Sequence, residues 1–204
     1  MRQLGLAVAA VVMAMMPGVS AWQASTSKPA AAAPAGQKPA APAAEATRSP
    51  GAGPLITVET VKGSFTFETY PNEAPKSVEH ILALVKRRFY DGMRVHRQIP
   101  GFIAQFGDPN SRDMSKKDLW GTGSSFNPVG VGEANPKRTH VTGAVAMAYP
   151  GKDPRQADSQ LYVMLAPRHS LDGDYTVIGQ VIAGMDVVRK LVVPDVIRRV
   201  TVKE

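Results

Sequence analysis

The sequence predicts a mainly β domain, a closed eight-stranded antiparallel barrel capped by two helices. Eight short runs rich in β-branched, aromatic or alternating apolar residues lie between turn signals over residues 55–204, a pattern typical of antiparallel barrels and sandwiches. Only two stretches in that range have a helical spacing of apolar residues. A barrel is favoured because closure removes exposed strand edges, and the two helices are expected to cover its ends.

The domain is expected to begin with a strand pair and a helix. Residues 55–61 and 64–70 alternate apolar and polar side chains around Lys62-Gly63, which predicts two strands. Pro75 suits the first turn of a helix that ends near Phe89. The apolar residues that share one face of this helix are Val78, Ile81, Leu82, Val85 and Phe89.

The next segment, residues 89–108, contains two tight turns. Its sequence is FYDGMRVHRQIPGFIAQFGD. Asp-Gly and Pro-Gly pairs between apolar runs are turn signals, so strands are expected at about 93–98 and 102–107.

One cation on the first of these strands is expected to face a surface. Neighbouring side chains on a strand point to opposite faces, so His96 and Arg97 must diverge. Because arginine rarely buries without a partner, Arg97 is expected to face outward. Its expected neighbours there are Phe102, Ile103 and Gln105. His96 is expected to be a core histidine that is hydrogen-bonded to the backbone.

The remainder of the domain is expected to be strands around one long loop. The loop runs from Asp108 to about Thr142 and is rich in Gly, Ser, Asn and Pro; loops of this length are usually functional or disordered. A short helix fits Met185 to Val192, ahead of Pro194. The further strands are expected at 143–149, 160–166, 176–182 and 196–203.

The chain ahead of the domain has two parts. Residues 1–21 have a basic start, an apolar run and small residues before Trp22, which predicts a secretory signal peptide. Residues 22–54 are dominated by Ala and Pro and predict a disordered linker, either a spacer or a tail without a partner. Export is therefore expected, to the periplasm or outside if the host is bacterial, without stable membrane insertion after cleavage.

Composition argues against several functions. The net charge of +7 is moderate, and no basic stripe interleaved with aromatics is present, so nucleic-acid binding is not expected. Cysteine is absent, which excludes disulfides and cysteine nucleophiles. The four histidines have no ligand spacing, so neither a metal nor another cofactor is expected. The loop 121–125, GTGSS, lacks the ending of a phosphate-binding loop and is expected to be plain loop.

Several sequence blocks occur together in one order. The first is FYDG…HR-x-IPGF-x-x-Q-x-GDP, between Phe89 and Pro109. The later blocks are GAVAMA at 143–148, DSQLY at 158–162, LDG at 171–173 and VIGQV at 177–181. From about Leu55 onward the chain thus resembles the cyclophilins, the barrel-shaped peptidyl-prolyl cis-trans isomerases, and the resemblance implies the same eight-stranded architecture.

The resemblance implies a role for ten residues. Those implied to be catalytic are Arg97, Phe102 and Gln105. Those implied to bind substrate are Ile103, Ala148, Tyr149, Gln160, Tyr162, Leu171 and Tyr175. Arg97 would donate to the imide nitrogen of an X-Pro bond, Phe102 would form the floor of a proline pocket, and Gln105 would position Arg97 or hydrogen-bond a substrate carbonyl.

Three positions depart from the family pattern. Tyr149 stands where Asn is common, Tyr162 where Phe is usual, and Ser170 where the family has Trp. Tyr162 is expected to change the strength or selectivity of binding, and loss of the Trp implies weak inhibition by cyclosporin.

The favoured hypothesis is a monomeric isomerase that acts on X-Pro bonds of exported, unfolded or extended polypeptides. The alternative is a non-catalytic module or chaperone of the same fold that binds proline-containing polypeptides. A third possibility is a surface or scaffold protein in which residues 22–54 and the basic charge dominate.

Overall fold

The computed structural model of the protein describes residues 53–203. The predicted signal peptide at 1–21 and almost all of the predicted linker at 22–54 lie outside the described residues. No helix between residues 53 and 203 has both the length and the apolar character needed to cross a membrane.

Strands occur close to all eight predicted positions. They are β1 (Leu55–Thr60), β2 (Gly63–Thr69), β3 (Arg97–Ile99), β4 (Ile103–Phe106), β5 (Ala144–Met147), β6 (Leu161–Met164), β7 (Val177–Ala183) and β8 (Ile197–Lys203). The α-helices are α1 (Pro75–Lys86) and α2 (Met185–Lys190). Short 3₁₀ helices lie at Pro109–Arg112, Met114–Leu119, Pro154–Gln156 and His169–Leu171.

The strands form one curled antiparallel sheet that is open, so the predicted closed barrel is wrong. The strand order is β3-β4-β6-β5-β7-β2-β1-β8, which leaves β3 and β8 at the two ends. Only two residues of the predicted strand 93–98, Arg97 and Gln98, belong to β3. The residues before them meet the start of β8 at an isolated bridge, Arg94 to Val196. Backbone N–H groups of Gly92, Val95 and Ile197 donate across this contact at 2.7–2.9 Å. Of the two helices, α1 contacts β8 and α2 contacts β2.

The larger core lies on the concave side of the sheet, against α1. Phe106 is its centre, with edge-on contacts to Phe65 at 6.4 Å and to Tyr90 at 6.1 Å between ring centroids. On α1 the predicted stripe is confirmed at Val78, Ile81 and Val85, which are buried. Leu84 is fully buried whereas Leu82 is only partly so, and the buried face therefore passes through Leu84 instead of Leu82.

A second cluster of buried residues lies on the other face of the sheet. Side chains alternate along β6, so Leu161 and Val163 enter the larger core while Tyr162 and Met164 enter the second cluster. The buried members of this second cluster are Tyr70, Ile103, Ala144, Ala146, Tyr162, Met164 and Val177. It forms the base on which the candidate site is built.

Candidate active site

The β3–β4 hairpin places Arg97 on the face that carries the second cluster. Arg97 lies directly opposite Gln105 in the ladder, and Gln105 lies opposite Tyr162 on the next strand. Residues opposite each other in antiparallel strands share a face of the sheet. The register therefore aligns a guanidinium, an amide and an aromatic ring across three strands, with Arg97 exposed as predicted.

Nine of the ten predicted site residues line one cavity of about 210 Å³. We call it the aromatic pocket; its residues are Arg97, Phe102, Ile103, Gln105, Ala148, Tyr149, Tyr162, Leu171 and Tyr175. The tenth, Gln160, lines the adjoining cavity instead. The predicted residues therefore lie together, while their individual roles stay predictions.

A chain of hydrogen bonds connects Arg97 to the long loop. The Arg97 Nη1 donates to Gln105 Oε1 at 3.2 Å, and Gln105 Nε2 donates to Gln160 Oε1 at 2.9 Å. Gln160 Nε2 then donates to the carbonyls of Gly121 at 3.0 Å and Gly123 at 2.8 Å. Since Gln105 is buried, this chain holds one edge of the guanidinium in place.

The rest of the Arg97 guanidinium is available to a ligand. Within residues 53–203 its side chain makes no hydrogen bond besides that to Gln105 and no ion pair with a carboxylate. A guanidinium has five N–H donors and stays charged, so an unneutralised donor faces the aromatic pocket. A second cation, Arg168, lies over the Phe102 ring at 5.1 Å from its centroid; sequence reasoning did not identify it.

The Tyr162 hydroxyl is held behind the aromatic pocket. It forms a 2.9 Å hydrogen bond with Nε2 of His140, which is fully buried. His140 Nδ1 donates to Asp172 Oδ1 at 2.8 Å, and its backbone N–H donates to the same oxygen at 2.7 Å. Burial is the main cause that raises the pKa of Tyr162 above its ordinary value. The hydroxyl that the sequence places in the pocket is thus engaged with His140.

Two further tyrosines form the rim of the aromatic pocket. The rings of Tyr149 and Tyr175 lie 4.7 Å apart, tilted by 31°. The Tyr149 hydroxyl donates to the Asp174 carbonyl at 2.5 Å. Burial raises the pKa of Tyr149, and the neighbouring Tyr175 and Asp174 add to the shift. The two rings therefore brace each other and the loop at residues 171–175.

A larger cavity of about 410 Å³ adjoins the aromatic pocket and shares Gln105, Ala148 and Tyr149 with it. We call it the loop cavity. Its other lining residues are Gly121, Thr122, Gly123, Ser124, Pro128, Pro150, Gln156, Asp158, Ser159 and Gln160. The loop at 121–125, predicted to be plain, thus forms a wall of this cavity; its only sequence signal was the unusual length of the loop.

The fully buried carboxylate of Asp108 shapes one side of this loop. It accepts backbone N–H groups of Asn110 at 2.7 Å, of Gly123 at 3.2 Å and of Gly121. A Cβ atom on Gly123 would lie 2.1 Å from Asp108 Oδ1, so only glycine fits there. His96 lies nearby. Neither of its ring nitrogens bonds a backbone group of the described residues, so the prediction of a backbone-bonded core histidine is wrong. Burial lowers the pKa of His96 despite the nearby Asp108.

A second buried carboxylate, Asp158, holds the other side of the loop. Its oxygens accept the Ser125 N–H at 2.8 Å and the Ser125 Oγ–H at 2.5 Å, and His80 Nε2 lies 3.0 Å from Oδ1. Burial acts to raise the pKa of Asp158, but the hydrogen bonds from His80 and Ser125 together outweigh it, so the pKa lies below its ordinary value. Neither Asp108 nor Asp158 was recognised in the sequence as supporting a site.

Metal chemistry finds no support in the described part of the chain, where no group of three or more His, Asp or Glu side chains could hold an ion. The arrangement is instead suited to binding an apolar ring beside a fixed positive charge. Such a site can stabilise a charge or lone pair that develops on a bound ligand.

Comparisons with known proteins show what the chain is similar to. Residues 55–203 match the family model described as cyclophilin type peptidyl-prolyl cis-trans isomerase/CLD. The chain is 35% identical to peptidyl-prolyl cis-trans isomerase CYP18-2 of Arabidopsis thaliana, over 71% of this chain and 84% of that protein. It is also 35% identical to peptidyl-prolyl cis-trans isomerase B of Bacillus subtilis, over 67% of this chain and 89% of that protein.

The fold is similar to solved structures as well. A Cryptosporidium parvum cyclophilin type peptidyl-prolyl cis-trans isomerase, whose crystal structure was obtained in the presence of the dipeptide Ala-Pro, matches with a TM-score of 0.65. The match covers 74% of this chain and 99% of that chain at 22% identity. At that identity the likeness concerns the fold.

Proposed function

The chain belongs to the cyclophilin-type peptidyl-prolyl cis-trans isomerases, and we propose that it isomerises X-Pro bonds in exported, unfolded or extended polypeptides, with Arg97 as the catalytic donor. The observation that carries this proposal is the unneutralised guanidinium of Arg97 on the wall of the aromatic pocket.

The reaction needs neither a nucleophile nor a metal. Resonance gives the peptide C–N bond partial double-bond character, with a barrier to rotation of about 18–20 kcal/mol. For an X-Pro bond the two isomers are nearly balanced, but their exchange takes tens of seconds or more. As the bond twists, the imide nitrogen loses conjugation and regains a lone pair. A donor aimed at that nitrogen stabilises the twisted state more than the planar one.

Arg97 meets the requirements for such a donor. A guanidinium is planar and always charged, and the bond to Gln105 fixes it before substrate arrives. Of the two roles expected for Gln105, this geometry favours positioning. Lowering the barrier by about 7 kcal/mol would accelerate the reaction roughly 10⁵-fold. The apolar walls contributed by Phe102 and Tyr162 would hold the pyrrolidine ring and exclude water, which strengthens the electrostatic effect.

The substrate backbone has a place to bind beside the pocket. The Ala148 N–H already donates to the Gln160 carbonyl at 2.9 Å. Just past the end of β5, the Ala148 carbonyl and the Tyr149 N–H have no partner among the described residues. An extended peptide can pair with these two groups as an added strand, which agrees with an unfolded or extended substrate.

We further propose that the protein acts after export, as a monomer, in the periplasm or outside the cell if the host is bacterial. The support is the signal-like sequence at 1–21 and the Ala/Pro-rich sequence at 22–54.

The test is an isomerisation assay on an Ala-Pro reporter peptide with the full chain. Arg97→Ala is expected to lower kcat/KM by roughly 10²–10³-fold, by analogy with removal of one transition-state donor, while circular dichroism and thermal stability stay unchanged. Arg199→Ala is the matched control, since Arg199 is equally exposed on β8 and remote from the pocket. Wild-type rates in Arg97→Ala would overturn the assignment of Arg97.

The same assay separates the enzyme from a binding module. Tyr149 and Ser170, which depart from the family pattern, are the reason to measure both properties. A wild-type chain that binds proline-containing peptides yet leaves their isomerisation rate unchanged would establish the non-catalytic alternative.

A further inference from the structure

Arg168 adds a second cation without a carboxylate partner to the surroundings of the aromatic pocket. Its side chain is exposed, and its guanidinium lies 5.1 Å from the centroid of the Phe102 ring. In the part of the chain that the structure describes, this guanidinium makes no hydrogen bond and no ion pair. A guanidinium has five N–H donors, more than one ring face can occupy. The side chain is therefore free to bind an anion.

The aspartates of the chain that follows do not neutralise Arg168. Asp172 is engaged through both carboxylate oxygens, one with Nδ1 of His140 at 2.8 Å and the other with Nδ1 of His169 at 2.9 Å. Asp174 is exposed, and it forms no ion pair with Arg168. The positive charge beside the Phe102 ring is thus left for a group that the protein itself does not supply.

The backbone that carries Arg168 is fixed close to the proline site. The Arg168 N–H donates to the His140 carbonyl at 2.8 Å, and the Arg168 carbonyl accepts the Leu171 N–H at 3.1 Å. Phe102, which the Arg168 guanidinium covers, lines the aromatic pocket but not the loop cavity. An extended polypeptide advances about 3.3 Å per residue. With a proline ring against Phe102, a side chain one or two residues along the polypeptide can therefore reach the guanidinium.

We propose that Arg168 forms an anion subsite at the Phe102 side of the aromatic pocket, and that this subsite binds the carboxylate of an Asp or Glu side chain one or two residues from the substrate proline. This inference rests on the proposed function, because the proline held in the pocket is what places the carboxylate. Two cations without carboxylate partners, Arg97 and Arg168, give this surface a positive potential that attracts acidic segments. The protein thereby favours prolines that have an acidic neighbour.

The experiment uses pairs of peptides that contain one proline and differ only in having Glu or Gln at one of the positions within two residues of it. For each pair, kcat/KM of the Glu peptide is divided by that of its Gln twin, so that effects common to both cancel. In the wild-type full chain at low salt, this ratio is expected to reach about 2–5 at one or two positions, the range of an exposed ion pair. The gain should come through KM and fall below about 1.5 in about 0.5 M salt, which screens exposed charges.

Two variants change the charge at this position. Arg168→Gln removes it and is expected to bring the Glu-over-Gln ratio down to about 1, since no ion pair remains. Arg168→Glu reverses it, so that peptides with Lys at the same position should exceed their Gln twins by about 2–5-fold, on the same estimate for an exposed pair. Arg199→Gln is the matched control, because Arg199 is an equally exposed arginine on β8; it should keep the Glu preference.

The outcomes separate this inference from the proposed function. A Glu preference that persists in Arg168→Gln overturns the inference, because the preference would then come from another cation such as Arg97, and it leaves the isomerase intact. A wild-type chain with no Glu preference at any of the positions overturns it as well. Affinities of the same peptides, measured by fluorescence anisotropy, cover the reverse case. A chain that isomerises no peptide, yet binds the Glu peptides more tightly only while Arg168 is present, retains the subsite and loses the enzyme.

Discussion

The aromatic pocket and the loop cavity lie side by side but are supported in different ways. The pocket takes Arg97, Ile103, Gln105 and Tyr162 from paired strands, where the ladder fixes both the backbone and the direction of each side chain. The loop cavity takes most of its wall from chain outside the strands, including residues 121–124. A side chain whose direction is fixed by strand register needs no further anchor. A loop that lies outside the strands needs other contacts to hold it.

Each region nevertheless has an aspartate–histidine pair behind it, of which His140 in the first pair and Asp158 in the second are buried. Asp172 binds His140 behind the aromatic pocket, and Asp158 binds His80 behind the loop cavity. The first pair ends on the hydroxyl of Tyr162, a residue already held by its strand, while the second ends on the backbone of Ser125. The Asp172–His140 pair therefore only adds to the support that the strands give the aromatic pocket. The Asp158–His80 pair is the main support of the loop cavity.

The largest expected effect comes from removing the anchor of the loop cavity. Asp158→Ala leaves His80 without its carboxylate and the Ser125 N–H without its acceptor. Breaking a buried pair of this kind costs about 3 kcal/mol of unfolding free energy. Urea unfolding should show that loss, and hydrogen exchange should show the Ser125 amide losing its protection. The rate on the short Ala-Pro reporter should fall by less than about threefold, since the strands keep the pocket.

The control for this change is Asp186→Asn, which removes an exposed carboxylate from α2 and should not alter stability measurably. A loss of reporter rate in Asp158→Ala as large as that of Arg97→Ala would contradict the separation of the two regions. It would mean that the guanidinium of Arg97 depends on the chain of hydrogen bonds in which Gln160 donates to the carbonyls of Gly121 and Gly123.

The difference between the two regions also explains what the sequence could predict. The turns at 91–92 and 100–101 predict the hairpin. The alternation of side chains along its first strand, together with the cost of burying an arginine, predicts that Arg97 faces outward. The resemblance to the cyclophilins assigned roles to ten residues, and nine of them, Arg97 included, line one cavity. The loop cavity was not predicted because its supports are long-range. Asp158 binds His80 across 78 positions of the chain and Ser125 across 33, and no local pattern encodes such pairs.

The errors in the fold have the same origin. Closure of the barrel depended on how residues 93–96 meet the start of β8, a non-local contact that turn signals do not encode. On α1 both Leu82 and Leu84 have a helical spacing from other apolar residues, and apolar spacing alone does not decide which of the two is buried.

Tyr162→Phe is expected to have an intermediate effect on the free energy of unfolding. It tests the Asp172–His140 pair behind the aromatic pocket. The change leaves Nε2 of the fully buried His140 without its partner. An unsatisfied buried group of this kind costs about 1–3 kcal/mol, which urea unfolding would detect. Because the hydroxyl is engaged with His140 and the ring remains, kcat/KM on the reporter should change by less than about threefold.

Tyr90→Phe is the matched control for that loss of stability. Its hydroxyl also donates within the core, to the Ser159 carbonyl at 3.0 Å. The two variants should lose similar stability. A tenfold or greater change in KM with Tyr162→Phe would show that the hydroxyl takes part in substrate binding and that the expectation from the sequence was right.

The smallest effect is expected from Arg168→Ala, which removes a contact that a residue outside the strands makes with the aromatic pocket. Arg168 is exposed, lies outside the strands and covers the Phe102 ring at 5.1 Å. A cation over an aromatic ring at an exposed site contributes about 0.5–1 kcal/mol, which corresponds to a two- to fivefold rise in KM. Steady-state kinetics on the reporter should show that rise at unchanged kcat, with Arg199→Ala as the control. A tenfold fall in kcat would instead mean that the twisted bond is stabilised by two cations, Arg97 and Arg168. In that case the pocket, like the cavity beside it, would depend on a loop for its function.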